Sequence, residues 1–575
     1  MDSEKIELEQ GINEDGTIRE SVSPNPLHCS TTSYLGISRT EEYNIDGGGT
    51  NTNGGRNDLL LISKTKHPRE QQHEGSSLSH TWCRSLICRK PIEQLLGQAE
   101  QTELHRTLTV WQLVFMGIGA IIGTGIFVSS GQAAARNAGP AVTLSFVIAG
   151  ITAAFAALSY SEMASMIPVS GSAYTYAYVT LGEFVAFIIG WNLILEYMVG
   201  SATVAVGWSG YFAKFFSVAF HVEFSPSWTT PPIQWIENSG SISYSPSHYF
   251  NVPGFLVILL LTFILVIGVR QSAHVNSTIV IIKLLVILIF IFSLCGFTDL
   301  ANYNPYVPPN TTGYWREYGI PGIFAGASIV FFSYIGFDAV STAALESNNP
   351  RRDLPIGILG SLVISTVLYI AACTVMTGAA HYTELGVPTP VSAAIDAVQL
   401  RTPGKNWQWL NIIVTLGALM GLSSVMLIGL LGQSRIFYSM ATDGLFPPWF
   451  AKIHPKYKTP YVATLVIGFI TAIMAAVLPV DLLGNMTSIG TLFAFLTVHV
   501  GVIILRFTQP DVERRFKIPG GKYFSLAYPI MGIIISILLI TTSEVTTIWR
   551  LFVWVAIGCI VYFAYGIRRS VMRTI

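Results

Sequence analysis

Long apolar stretches free of formal charge recur from residue 107 to the end of the chain. No Asp, Glu, Lys or Arg occurs in 107–135, 137–161, 238–269, 354–383, 406–434, 459–480, 482–505, 523–543 or 551–567. A spanning helix needs about 20 mainly apolar residues, which most of these runs supply. With the segments that carry one or two isolated charges, the pattern predicts twelve spans. They lie near 109–134, 140–167, 182–216, 253–271, 275–297, 318–346, 355–379, 407–439, 459–478, 482–507, 524–542 and 548–568. Residues 1–60 have no apolar periodicity and read Asp46-Gly-Gly-Gly-Thr-Asn-Thr-Asn-Gly-Gly55 at their richest; they are expected to be a disordered cytoplasmic tail. Residues 61–107 are expected to form a cytoplasmic juxtamembrane segment, and 108–570 a single transporter-sized membrane domain. No signal-peptide core precedes the first span.

Lys/Arg asymmetry sets the expected orientation. With twelve spans both termini share a side, which also holds Arg270, Arg351, Arg352, Arg435, Lys452, Lys456, Lys458, Arg506, Arg514, Arg515, Lys517, Lys522, Arg568, Arg569 and Arg573. The opposite loops hold only Arg136, Arg316, Arg401, Lys405 and Arg550. Both termini are therefore expected to be cytoplasmic. Composition agrees with the pattern: only 11% of the 575 residues are charged and 51% are apolar, against ~25% charged in soluble domains. The 33 bases and 33 acids cancel, so no nucleic-acid partner is indicated. Cys29, Cys83, Cys88, Cys295, Cys373 and Cys559 show no CxxC spacing, and neither a metal motif nor a P-loop occurs. No cofactor is expected, and nothing points to an enzyme.

Two spans are interrupted at matching places. Span 1 carries Gly117-Ile-Gly-Ala-Ile-Ile-Gly-Thr-Gly125, and span 6, five spans later, carries Gly326-Ala-Ser-Ile-Val-Phe-Phe-Ser-Tyr-Ile-Gly-Phe-Asp338. Glycines at this spacing can serve close helix packing. The other reading is an unwound stretch in each span, and such a pair points to an inverted-repeat transporter, for which twelve spans divide as 5 + 5 + 2. Unpaired backbone in a bilayer is tolerated only around a cavity. Amides at a half-helix N-terminus would face an anion and free carbonyls a cation. The geometry suits an α-amino acid zwitterion without excluding another small anion.

The motifs carry a resemblance. Gly117-Ile-Gly-Ala-Ile-Ile-Gly-Thr-Gly-Ile-Phe127, Ala138-Gly-Pro-Ala141, Gly171-Ser-Ala-Tyr-Thr-Tyr176, Gly190-Trp-Asn-Leu-Ile-Leu-Glu-Tyr197 and Gly336-Phe-Asp338 resemble the cationic amino acid transporter family. So do Glu346-Ser-Asn-Asn-Pro-Arg-Arg-Asp-Leu-Pro355, Ser434-Arg-Ile-Phe-Tyr-Ser-Met-Ala-Thr-Asp-Gly444 and Ser488-Ile-Gly-Thr-Leu492. That family belongs to the amino acid–polyamine–organocation superfamily. The likeness covers about 105–570, and the twelve-span length is similar to the bacterial, plant and fungal branch. It implies an all-α, polytopic, LeuT-like fold: a 5 + 5 inverted repeat plus two C-terminal helices, with helices 1 and 6 broken. It also implies that Gly123, Thr124 and Gly125 hold the substrate carboxylate. The ammonium would lie near carbonyls of Ile121 or Ile122 and of Phe332, Ser333 and Ile335, with Phe332 as a gate.

Three ionisable residues fall within spans, where a charge is costly. Lys283 stands about 12 Å into span 5 at ~1.5 Å per residue. It either snorkels to the interface or lies buried where related carriers hold sodium. The family likeness favours the second, with carbonyls around Gly117 and Gly119 and hydroxyls of Ser423 and Ser424 as partners, and a proton gained and lost during transport. Glu196 lies near the middle of span 3, as a structural carboxylate or as the attractant for a cationic side chain. Asp338 ends the span 6 motif as a cap, or contacts substrate or proton. Glu346, Asn349, Arg351 and Arg352 are expected in an inner-gate network, and Trp191 and Tyr197 in helix packing.

Together these readings predict secondary active transport of amino acids, preferentially arginine, lysine and ornithine, coupled to protons. A transporter-like amino acid sensor and a broad neutral permease are the alternatives. The expected partners are a small amino acid, protons and the lipid bilayer. Sorting or ubiquitin machinery is expected at the tail, where Lys5, Lys64 and Lys66 are candidate acceptors. The plasma membrane is favoured over the vacuolar one. Asn310-Thr-Thr312 and Asn485-Met-Thr487 fit N-glycosylation sequences, of which only the loop site at Asn310 is expected to be accessible.

Overall fold

The computed structural model describes residues 88–571, apart from 94, 96, 98–107, 170, 237–240, 246, 268–271, 312 and 458. The expected tail of 1–60, its acceptor lysines and most of the 61–107 segment lie outside the described residues.

The apolar runs fold as helices, as their composition demands. α1 (Val110–Ile121) begins at Thr109, whose hydroxyl accepts from the Gln112 amide while the Gln112 side chain accepts from the Thr109 amide at 2.9 Å. This reciprocal cap satisfies amides that a helix start leaves unpaired. After a break the chain resumes as α2 (125–138), wound partly in wide five-residue turns. A turn at Gly139 and Pro140 leads into α3 (Val142–Met166), followed by the short α4 (Ser172–Thr180) and the long α5 (Glu183–Phe220). The following loop carries an antiparallel hairpin of β1 (Ile233–Ile236) and β2 (Ser241–Tyr244), with Ile233 opposite Tyr244. It is the only sheet among the described residues. Then come α6 (Val252–Ile267), α7 (Ser272–Cys295), α8 (Gly319–Val330), the one-turn α9 (Ala339–Thr342) and α10 (Pro350–Ala379). The chain closes with α11 (Pro390–Arg401), α12 (Gln408–Thr442), α13 (Tyr461–Val477), α14 (Val480–Thr508), α15 (Gly521–Thr542) and α16 (Val545–Arg569).

This is the all-α polytopic architecture that the apolar pattern predicts. Nine helical stretches among the described residues are long and apolar enough to span a bilayer, the first being the 57-residue run Val110–Met166 that holds α1, α2 and α3. α6 and α13 are shorter, at 16 and 17 residues. α6 shows how the faces divide. Leu256, Leu260, Phe263, Ile264 and Ile267 are exposed along one stripe, while Gly254, Val257, Ile258, Leu261 and Leu265 are buried on the other. An exposed apolar stripe of that length suits lipid rather than water.

Inside, α10 packs along α1 and α3, α12 along α5 and α7, and α14 against α15. Small residues set the approach. A Cβ on Gly117 would collide with the Ser361 side chain of α10, so this glycine serves close packing. α10 starts five residues before its expected boundary because Pro350 occupies the first turn, where no amide hydrogen is needed.

Candidate functional site

Both expected breaks are present, and they face each other. α1 ends where Ile122 turns extended (φ −74°, ψ 100°). α8 ends in a tight turn, Phe331–Tyr334, after which Ile335 is extended (φ −62°, ψ 136°) and Gly336 takes φ +120°. Only glycine adopts that φ at little cost. The breaks interlock through absent side chains: a Cβ on Gly336 would lie 2.8 Å from that of Ala120, and one on Gly125 would lie 2.7 Å from the Ser333 Cα. Tyr369 of α10 reaches in from behind, its hydroxyl within hydrogen-bonding distance of the Ile121 carbonyl (2.7 Å) and the Ser333 carbonyl (2.8 Å).

A cavity opens where the breaks meet. α1, α2 and the linking break contribute Ala120, Ile121, Gly123, Thr124 and Gly125; the second break and α9 contribute Phe332, Ile335, Gly336 and Ala339. α5 adds Glu196, Tyr197, Gly200, Ser201 and Val204, and α12 adds Val425, Ile428 and Gly429. Of the residues expected around a substrate, Ile121, Gly123, Thr124, Gly125, Glu196, Phe332 and Ile335 therefore line one cavity. Ile122 and Ser333 do not. The Ile122 carbonyl points away to Lys283, and Ser333 packs under Gly125 with its carbonyl bonded by Tyr369. The amides at the start of α2 follow the break, and the first amides of any helix lack partners within it.

Lys283 is fully buried and does not snorkel. Its Nζ donates to the carbonyls of Gly119 and Ile122, each at 2.9 Å, and to Ser424 Oγ at 3.3 Å. Three acceptors match the three hydrogens of an ammonium. Two expected partners are corrected. Gly117 lies against Ser361 instead. Ser423 accepts from Trp208 Nε1 at 3.1 Å and donates to the Leu419 carbonyl, one residue round the helix from the lysine.

Glu196 is 3% exposed, and neither carboxylate oxygen has a hydrogen-bond partner among the described residues. Asp338 and Thr491 are its polar neighbours but do not reach hydrogen-bond geometry. Asp338 occupies the N-cap position of α9 without a side-chain bond to the second or third amide; its carboxylate lies by the Ala339 amide and accepts from the Tyr197 hydroxyl. Tyr197 thus stands in the site rather than in plain packing, which the sequence could not distinguish. Trp191 does pack, stacked on Trp554 with ring centroids 4.8 Å apart. Of the expected inner network, Glu346 pairs with Arg435 at 2.5 Å and Arg351 with Glu513 at 3.4 Å, while the Asn349 amide donates to Asp353. No ion pair involves Arg352 among the described residues.

Phe332 also lines a second cavity. There Arg136 of α2 pairs with Asp481 of α14 at 3.3 Å, and Gln132, Asn485 and Glu544 complete the polar wall. Asn310 lies exposed in the loop before α8, its side chain donating to the Tyr314 carbonyl.

Facing breaks in two membrane helices, enclosing a small cavity with polar backbone on one side and a carboxylate on the other, define a carrier of small molecules. Residues 108–566 match the amino acid permease family. The chain is 42% identical over 489 residues to the branched-chain amino acid permease BcaP of Bacillus subtilis (strain 168), covering 84% of this chain and 98% of BcaP. It is 39% identical over 490 residues to the methylthioribose transporter of the same organism, covering 85% and 99%. With cationic amino acid transporter 1 of Arabidopsis thaliana it shares 38% over 407 residues, 70% of this chain and 63% of that one. The chain belongs to the amino acid permease family of the amino acid–polyamine–organocation superfamily. It is a multi-pass membrane protein of amino acid transport, not an enzyme.

Proposed function

We propose that this protein carries cationic amino acids by alternating access across twelve spans arranged as a 5 + 5 inverted repeat plus two, with protons as the coupling ion. The observation that carries the cationic reading is the Glu196 carboxylate: it is buried at the cavity wall beside Asp338 and Thr491, and neither of its oxygens meets hydrogen-bond geometry with any described residue. An ionised carboxylate without a partner is too costly to keep in a bilayer interior, and the guanidinium or ammonium of arginine, lysine or ornithine would supply the missing donors. Thr124 and the amides at 123–125 would take the α-carboxylate. Phe332, shared by both cavities, is the gate between them.

Lys283 is the proposed proton carrier. Its three acceptors come from the last turn of α1, from the first residue of the break and from α12, so losing a proton would free one of them and loosen α1. Basic residues gather at the loop ends that the positive-inside rule makes cytoplasmic, which supports cytoplasmic termini. The plasma membrane remains our favoured location, with sorting signals in the tail.

A second reading has its own support. Val204, Val425 and Ile428 give the cavity an apolar wall, and the similarity to a branched-chain permease is high; both favour a neutral substrate. Purified protein in proteoliposomes, offered arginine, lysine, leucine and alanine with and without an imposed pH gradient, separates the readings. The cationic one requires arginine or lysine uptake that exceeds leucine uptake and rises with an inward proton gradient. Preference for leucine would replace it, and binding without any uptake would make the protein a sensor.

A further inference from the structure

We propose that Tyr160, Ser172 and Tyr176 line the closed passage through which substrate leaves the cavity, a hydroxyl-bearing path that starts at Asp338 and is plugged by α4. The proposal rests on the reading of the central cavity as a transport site and adds the route out of it.

The observations lie outside the cavity itself. Tyr160 of α3 packs edge-on against Tyr176 of α4, with ring centroids 6.0 Å apart. Tyr160 and Tyr176 both lie within electrostatic reach of the Asp338 carboxylate, the group that Tyr197 bonds at the cavity wall. Tyr160 lies beside the Ser172 hydroxyl and Tyr176 beside that of Ser341, yet neither pair meets hydrogen-bond geometry. Tyr160 Oη, Ser172 Oγ, Tyr176 Oη and Asp338 Oδ1 are thus buried without partners, each on a residue at most 1% exposed. A folded protein pairs nearly all such groups. Several such groups gathered around Asp338 are accounted for if their partners arrive in another state: water and the polar ends of a passing amino acid.

The plug is built to move. Along α4 the two faces differ. Tyr174 donates to Asp443 at 2.7 Å and Tyr178 to Glu183 at 2.9 Å, so one face is tied to charged anchors. Ser172 and Tyr176, two residues out of phase with those, present the unpaired face to Tyr160 and Asp338. Ser172 also starts the helix at φ +50°, a region that residues other than glycine rarely occupy and that persists only under tight constraint. Gly171 precedes it because Thr175 fills the space a Cβ would need. The Gly171–Tyr176 motif, singled out in the sequence without a role, acquires one here.

Removing a hydroxyl that has no partner should not weaken this state, which makes the double variant Tyr160→Phe/Tyr176→Phe a clean probe. In proteoliposomes its maximal uptake should fall about fivefold or more, while the equilibrium dissociation constant stays within about twofold and the thermal midpoint does not drop. Unchanged uptake overturns the passage. So does a matching loss of binding, which would put the hydroxyls in the main site, or a lowered midpoint with uptake intact. A second arm does not depend on which substrate is carried: full-length Ser172→Cys, treated with a membrane-impermeant maleimide and assayed by peptide mass at position 172. Labelling is expected, and its absence from both sides overturns the path. Labelling in a protein that moves no amino acid would keep the passage and bring down the transport reading. Amino acid uptake with neither effect would do the reverse.

Discussion

At the residue scale two side chains carry the proposed chemistry. Glu196→Gln keeps the shape of the cavity wall and removes its charge. A hydrogen bond to a charged group is worth about 1.5–3 kcal/mol, so half-saturation for arginine should rise roughly 10- to 100-fold while that for leucine changes less than about threefold. Competition between labelled arginine and leucine in proteoliposomes reads both, and equal effects would remove Glu196 from selectivity. Lys283→Met should leave amino acid binding measurable while abolishing the response of uptake to an imposed pH gradient; a retained response would place the coupling elsewhere. Lys283→Arg should not restore it, because a planar guanidinium cannot meet the three acceptors around Nζ. The sequence made Glu196 and Lys283 visible because charge is so scarce inside the apolar runs. It misassigned Gly117 and Ser423, since a difference of one or two residues turns a group about 100–200° around a helix. Tyr197 was hidden for another reason: a tyrosine that packs and one that bonds a buried carboxylate look alike until the carboxylate is placed.

The element that organises the site is the pair of breaks. Glycine spacing announced both, and the expected positions hold to within a few residues. What the spacing could not say is which glycines unwind a helix and which admit a neighbour; Gly117 does the second. The structure separates two further cases. A Cβ on Gly125 would press on the Ser333 backbone, whereas one on Gly123 would meet only the Val425 side chain at 2.7 Å. Side chains can rotate away and backbone cannot. Gly125→Ala should therefore reduce uptake at least about tenfold in protein that is still folded and monodisperse, by shifting the breaks apart, while Gly123→Ala loses less than about half of that effect in free energy. If the two variants behave alike, the interlock of breaks is not what sets the site. α4 and α11 escaped the apolar pattern because neither is a spanning helix. Ser172–Thr180 is aromatic and polar, and Pro390–Arg401 is short, with its proline in the first turn.

For the whole molecule, the zero net charge conceals an arrangement that local patterns do not show: bases and acids far apart in sequence meet to tie the helix ends. Glu162, at the end of α3 and 2% exposed, receives both Arg506 Nε (2.9 Å) and Nη2 from α14 and the Ile518 amide (3.2 Å), while Arg506 Nη1 reaches Ser525 of α15. Burial lowers the Arg514 guanidinium below the usual arginine range, a shift that nearby Glu162 opposes. One carboxylate thus clasps three helices and a loop. Arg351 and Glu513, by contrast, pair at 3.4 Å with 36% and 69% of their side chains exposed. The two pairs should differ sharply in worth. Arg506→Ala would leave the buried Glu162 carboxylate with only the Ile518 amide and the more distant Arg514 (3.6 Å) and cost up to about 3–5 kcal/mol, whereas Arg351→Ala should cost about 0–1 kcal/mol. Thermal unfolding in detergent, followed by tryptophan fluorescence, should show a clear drop in midpoint for the first and almost none for the second. Replacing both Arg506 and Glu162 by Met should recover much of the loss, because the penalty lies in the unpaired charge and not in the missing bond. If the double variant is as unstable as Arg506→Ala, the clasp stabilises by its own attraction. These ends of α3, α14 and α15 would then be held by electrostatics rather than by packing.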